Sequence, residues 1–207
     1  MKTASTMFAD VLLELERIEE LHASLHPAVS IFGSARTPAD SHEFRSAHGL
    51  GQALAQKGFT VISGGGPGIM RAAVEGAQSA RGRSVGFNIA LPFEVPSIDL
   101  QDISLTFENF FTRKLAFARC SDAFVVMPGG MGTLDELFDI LTLIQTKKMP
   151  DKPVVLYGKD FWHGMINWLN VSVAGNGYIK PNETEKMMIF DEESDVINHL
   201  IQLFNIK

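Results

Sequence analysis

The stretch PGGMGTLDE, residues 128–136, follows the apolar run Ala123-Phe124-Val125-Val126-Met127. Gly129, Gly130 and Gly132 precede a hydroxyl at Thr133 and carboxylates at Asp135 and Glu136. A glycine-rich turn between a strand and a helix presents free N–H groups at the positive end of the helix dipole, which suits a phosphate. Carboxylates repel phosphate. A loop carrying both fits a ligand that is anionic at one end and gains positive charge at the other during reaction. A purely local reading is also open: T-x-x-E is a capping box, with Thr133 as N-cap and Glu136 reaching back to its N–H.

A second glycine loop, SGGGPG at 63–68, contains Gly65 and Gly66, and a third, FGSAR at 32–36, contains Ser34. Neither dinucleotide nor Walker A spacing is present: no G-x-G-x-x-G occurs in these loops, and Gly158-Lys159 is followed by Asp160 rather than Ser or Thr. Glycines that merely make tight turns remain the alternative for each loop alone. Several such loops on one sheet edge favour a phosphate site.

The cations that would balance the ligand lie in FENFFTRKLAFAR, 107–119. Phe110, Arg113, Lys114 and Phe117 fall on one helical face. That face reads either as a pocket wall, aromatic for a base and basic for a phosphate, or as a solvated stripe with Phe110, Phe111, Leu115 and Phe117 in the core. The six histidines show no metal-ligand spacing, so neither a metal nor a cofactor is expected.

The elements around these motifs alternate. An amphipathic helix at about 6–25 precedes strands at 28–32, 59–62, 84–89, 103–107, 123–127, 153–157 and 188–190. Helices are expected at 42–57, 68–80, 109–119, 133–147, 160–173 and 192–204, with loops at 90–102 and 175–186. Short, nearly unbroken apolar strands alternating with helices predict a doubly wound α/β fold, its mostly parallel sheet covered on both faces. The 207 residues suit a single domain spanning 1–207. All three glycine loops follow strands, and so belong on the carboxyl edge where such sheets bind ligands.

The composition is ordinary, with 45% hydrophobic and 20% charged residues and a net charge of −6. That balance disfavours general binding to nucleic acid or an anionic membrane. The acidic residues 1–20 carry no signal-like apolar core, and no segment is long and apolar enough to span a bilayer. With one cysteine, Cys120, a cytoplasmic location is expected.

Taken together, FGSAR, SGGGPGIM, the Thr112-Arg113-Lys114 step, SDAFVVMPGGMGTLDE and DKPVVLYG resemble the Lonely Guy (LOG) family, whose bacterial members often carry the label "lysine decarboxylase-like". The likeness runs from about residue 28 to 190. It implies a Rossmann-like fold and hydrolysis of a nucleoside 5′-monophosphate, such as AMP or a cytokinin riboside 5′-monophosphate, to free base and ribose 5-phosphate. It implies Arg113 and Glu136 as the catalytic pair. Gly129, Gly130, Met131, Gly132 and Thr133 would form the phosphate loop, Lys114 would add charge, and Thr142 would line the site with Ser34, Gly65 and Gly66. It also implies a homodimer or higher homo-oligomer with sites near the interface, an expectation reinforced by the apolar angles of Phe110, Phe111 and Phe117.

Three departures bear on the base, one of them the segment GFNIALPFE (86–94), which differs from the proline-rich stretch of the plant enzymes. Plant-type members have M-H-x-R-K where this chain has Phe110-Phe111-Thr112-Arg113-Lys114, and often Tyr where it has Met131. Two other classes compete with the hydrolase. One is a nucleotide-binding sensor or carrier without turnover. The other is a pyridoxal-dependent decarboxylase, which needs a cofactor-bearing lysine that the sequence does not single out.

Overall fold

The computed structural model describes residues 4–91 and 98–206. Among the described residues, seven strands form one entirely parallel sheet: β1 (Ala28–Phe32), β2 (Thr60–Ser63), β3 (Ser84–Ile89), β4 (Ile103–Phe107), β5 (Ala123–Val126), β6 (Val154–Tyr157) and β7 (Met187–Phe190). Their spatial order is β4-β3-β2-β1-β5-β6-β7. The helices are α1 (Ala4–Leu25), α2 (His42–Gln56), α3 (Ile69–Ser79), α4 (Phe110–Cys120), α5 (Met131–Gln145), α6 (Lys159–Trp168) and α7 (Glu193–Phe204).

The central strands are buried along their whole length because both faces are covered. Val29 and Ile31 of β1 pack with Leu50, Leu54 and Ala73 of α2 and α3 and with Val196 and Leu200 of α7. Ala28 and Phe32 point the other way, into a cluster with Phe87, Phe117, Phe124 and Leu137. This is the two-residue period of a strand read on each face in turn. Local signals set the element ends. Ser41 caps α2 by accepting the Phe44 N–H at 3.1 Å, and Gly58, at φ +83°, takes the left-handed turn after it.

Boundaries agree with the sequence reading to within a residue or two, apart from 160–186 and the loop expected at 90–102. The helix expected over 160–173 ends at Trp168 and continues as a wider π-type turn, Leu169–Ala174. The loop expected at 175–186 contains a 3₁₀ segment, Pro181–Lys186. The helix expected from residue 133 starts at Met131. The loop expected at 90–102 falls partly outside the described residues. Its final part, Ile98–Leu100, is a 3₁₀ turn.

The strand order has a functional consequence. From β1 the chain moves to β2 on one side, and later returns to β5 on the other. Loops leaving the carboxyl ends of β1 and β5 therefore diverge, opening a crevice at the topological switch point.

Candidate active site

That crevice is a cleft of about 440 Å³ lined by residues 32–36, Gly64, Met70, Ile89, Leu91, Phe110, Arg113, Phe117, 130–133, Asp135 and Glu136. The β1 and β5 loops are joined at its floor. Ser34 donates its N–H to the Pro128 carbonyl at 3.1 Å and accepts the Ile69 N–H at 3.0 Å. The Ser34 hydroxyl accepts the Arg36 N–H at 3.0 Å, which fixes the turn that brings Arg36 to the cleft.

The PGGMGT segment has a division of labour that its composition hides. Gly129 is required by packing: a Cβ there would collide with the Thr133 side chain. Gly130 and Gly132 are not. A Cβ at either meets nothing within 4 Å, neither has a left-handed φ, and both line the cleft. Gly130 caps α5, and its carbonyl accepts the N–H groups of Thr133 and Leu134, each at 3.0 Å. The amides of Met131 and Gly132 lie ahead of these first helical bonds, at the positive end of α5.

This geometry overturns the capping-box reading. Thr133 and Glu136 are the third and sixth residues of α5, so neither occupies the position such a box requires. Glu136 is only 8% exposed, and its Oε2 has no hydrogen-bond partner among the described residues. Burial raises its pKa above the ordinary 4.5, and Asp135 and Asp139 push the same way. The charges of Lys114 and then Arg113 oppose them. A buried carboxylate oxygen left without a donor beside an open cleft is costly for folding alone.

The two basic residues of α4 have different surroundings. Arg113 is held in the wall, with Nε donating to the Phe87 carbonyl at 2.7 Å and Nη2 to the Gly64 carbonyl at 3.1 Å. Its guanidinium lies 5.4 Å from the centre of the Phe117 ring. Lys114 turns toward the acids of α5: Nζ is 3.0 Å from Asp135 Oδ2, 3.7 Å from Glu136 Oε2 and 4.0 Å from Asp139 Oδ2. The direct ion pair to Glu136 is thus made by Lys114. Arg113 acts on Glu136 through its charge across the cleft wall.

The helix carrying them is neither wholly wall nor wholly core. Phe117 is fully buried and still borders the cleft. Phe110 also borders it but is half-exposed, while Phe111 and Leu115 face outward. The reading that buried all four is therefore corrected for Phe110, Phe111 and Leu115. The expectation of Phe117 as exposed apolar surface is corrected as well.

Among the other sequence candidates, Ser34, Gly130, Met131, Gly132 and Thr133 come together in the cleft. Gly65 and Gly66 are buried and outside its lining. Gly65, at φ +73°, lies against the Asn88 amide, which exchanges two 3.1 Å hydrogen bonds with Gln101. Lys114 stands just behind the lining. Thr142, three turns along α5, donates to the Phe138 carbonyl at 2.6 Å and borders a separate cavity with Leu141 and Trp168. Arg36 was missed as a candidate, although it lies inside the FGSAR motif. Met70, Ile89 and Leu91 carry no local signal that would have marked them.

Among the described residues, no group of three or more His, Cys, Asp or Glu side chains is arranged to hold a metal. None of the described residues lining the cleft is lysine. No helix of the described residues is long and apolar enough to cross a membrane.

Fold and site define a doubly wound α/β protein with an anion-ready helix N-terminus and a buried carboxylate at one switch-point cleft. Residues 70–200 match the family model described as "Possible lysine decarboxylase". The chain is 33% identical over 171 residues to the cytokinin riboside 5′-monophosphate phosphoribohydrolase of Mycobacterium tuberculosis, covering 79% of this chain and 88% of that protein. It is 25% identical over 187 residues to an Arabidopsis thaliana enzyme of the same name, LOG3, covering 88% and 85%. This protein belongs to the LOG family.

Among solved structures, the molybdenum cofactor binding protein of Rippkaea orientalis shares the fold, with a TM-score of 0.64 and 23% identity. The match covers 86% of this chain and 97% of that one. The molybdenum cofactor carrier protein of Chlamydomonas reinhardtii is similar, at a TM-score of 0.62 and 22% identity over 86% and 98%.

Proposed function

We infer that this protein hydrolyses the N-glycosidic bond of nucleoside 5′-monophosphates, AMP or a cytokinin riboside 5′-monophosphate among them. The products are the free base and ribose 5-phosphate. The single observation that carries the reading is the buried Glu136 carboxylate, with one oxygen that accepts no hydrogen bond among the described residues, on the same cleft as the first-turn amides of Met131 and Gly132. The phosphate accepts from those amides, with Thr133 and Ser34 beside it and Arg36 supplying charge from the rim. The apolar wall of Phe32, Ile89, Leu91 and Phe110 receives the base.

As the C1′–N bond breaks, its electron pair leaves with the base and positive charge grows on the ribose. Glu136 stabilises that charge and takes a proton from the water that adds to C1′, while the departing base is protonated from solvent. Its raised pKa makes it a stronger base than an exposed glutamate. The charges of Lys114 and Arg113 favour its ionised form.

A dimer belongs to the same reading, supported by the outward Phe111, Leu115 and Trp168. Thr142, on a cavity with Trp168, would reach a site only across such an interface. The buried single thiol, Cys120, suits a reducing, cytoplasmic compartment. The carrier alternative rests on fold likeness, and Glu136 has no evident use in a protein that only binds. Incubation with AMP, followed by chromatography, tests the reading: adenine and ribose 5-phosphate should accumulate in equal amounts. Binding of AMP with no adenine released would favour the carrier.

A further inference from the structure

The wall that carries Arg113 is fixed from outside the region matched by the family model. Glu14, in the middle of α1, is 4% exposed, which is unusual for a carboxylate. It reaches the start of α4, some 94–98 residues further along the chain. One oxygen accepts the Glu108 N–H at 2.6 Å. The other accepts from Asn109 Nδ2 at 3.4 Å and from the buried Thr112 hydroxyl in a very short contact. Asn109 is the N-cap residue of α4 and makes no side-chain cap bond to its own helix. Its carbonyl accepts the Arg113 N–H at 3.3 Å, and the Thr112 hydroxyl lies 2.9 Å from the same oxygen. Glu14 therefore braces the start of α4 from another helix, holding the N-cap side chain, the amide before it and a first-turn hydroxyl at one point.

A buried carboxylate is destabilising unless donors surround it, and an apolar residue at position 14 would bind α1 to the sheet without that demand. What the carboxylate adds is directional. It ties residues 108, 109 and 112 to one point immediately before Arg113 and Lys114. Arg113 is anchored at its far end to Phe87 and Gly64, so its guanidinium is held between two fixed ends.

We propose that Glu14, together with Thr112, is a positioning residue for the reaction, setting the first turn of α4 so that Arg113 and Lys114 meet Glu136 correctly. The proposal rests on the hydrolase reading above. A displacement of about 1 Å in a catalytic group costs on the order of 10²-fold in rate, so partial loosening of this turn should lower turnover before it lowers affinity.

The test compares wild type with Glu14→Gln, Thr112→Val and Thr112→Ser. Each is assayed for adenine release from AMP well below its melting temperature, with hydrogen exchange followed by mass spectrometry over residues 108–116. Glu14→Gln and Thr112→Val should lower kcat about 10-fold or more and leave KM within about threefold. The double variant should be no worse than Glu14→Gln alone, because the Thr112 hydroxyl contact is one of those Glu14 makes. Thr112→Ser, which keeps the hydroxyl, should retain wild-type kcat.

A role confined to stability would lower the melting temperature and leave kcat of the folded protein unchanged, and that result overturns the proposal. Should Glu14→Gln fail to fold, the Thr112 pair decides it by the same criteria. Should wild type release no base from any nucleoside monophosphate, the hydrolase reading fails by itself. Exchange then decides for Glu14: faster exchange confined to 108–116 supports the positioning role, and unchanged exchange rejects it.

Discussion

Replacing Gly132 with alanine should stabilise the empty protein and weaken its hold on substrate. Gly132 is the second residue of α5. An added Cβ meets nothing within 4 Å, and the backbone there is not left-handed. The methyl therefore disturbs no packing, and removing a helical glycine restricts the unfolded chain, for a gain of roughly 0.5–1 kcal/mol. For a protein of this size that corresponds to a rise in Tm of about 1–4 °C. The same methyl stands in the space where the phosphate must approach the α5 amides. Losing one charge-assisted hydrogen bond there costs about 1.5–3 kcal/mol, or about 10- to 150-fold in kcat/KM.

Differential scanning fluorimetry without ligand and steady-state adenine release from AMP measure the two effects separately. Gly129→Ala is the contrast: its Cβ collides with Thr133, so stability and activity should fall together. Wild-type kcat/KM in Gly132→Ala would refute the assignment of phosphate to this helix end. A lowered Tm would refute the claim that the glycine is free of packing constraint.

The remaining expectations concern the charged groups. Glu136→Gln should abolish base release, and by burial alone it should raise Tm at pH 7. Because the folded-state pKa of Glu136 is raised above 4.5, its ionised form opposes folding increasingly as pH rises from 4.5 to the folded value, and fully above it. The Tm advantage of the variant should therefore vanish on acidification below 4.5, and near-wild-type turnover would remove Glu136 from the chemistry. In wild type, kcat/KM for AMP should fall as the pH drops through that raised pKa, since the protonated acid cannot accept the water proton. A profile flat down to pH 4.5 would count against the assignment. Arg113→Lys should lower kcat about 10²-fold, equivalent to ~2.7 kcal/mol, because one ammonium cannot satisfy both the Phe87 and Gly64 carbonyls in a fixed fork. An effect on KM alone would make Arg113 a simple electrostatic attractor. Adenosine should be a far poorer substrate than AMP, and comparable kcat/KM values would reject the phosphate site.

Much of the framework was legible in one dimension, because it depends on local rules. Apolar runs of strand length, glycine stops and helical periodicity give β1 to β7 and their alternation with helices. That alternation is enough to place the glycine loops on one sheet edge. The residue types of the β5 loop announce phosphate and carboxylate chemistry without any coordinates.

What the tertiary structure alone decided depends on contacts between distant segments. Strand order makes the β1 and β5 loops neighbours, so Arg36 enters the cleft, while Gly65 and Gly66, in an equally glycine-rich loop, are buried outside it, Gly65 against Asn88. The T-x-x-E spacing is identical in a capping box and in a working site. Only the start of α5 at Met131 separates the two, because it moves Glu136 beyond reach of the cap and leaves its Oε2 without a hydrogen bond among the described residues. The division between Arg113, held by carbonyls of the β3 and β2 edges, and Lys114, paired with the α5 acids, arises from adjacent residues pointing to different neighbours. The brace on the start of α4 comes from Glu14, a residue of ordinary amphipathic pattern whose partner Thr112 lies 98 positions away. No local periodicity encodes such a contact, because its energy exists only once the two helices have docked.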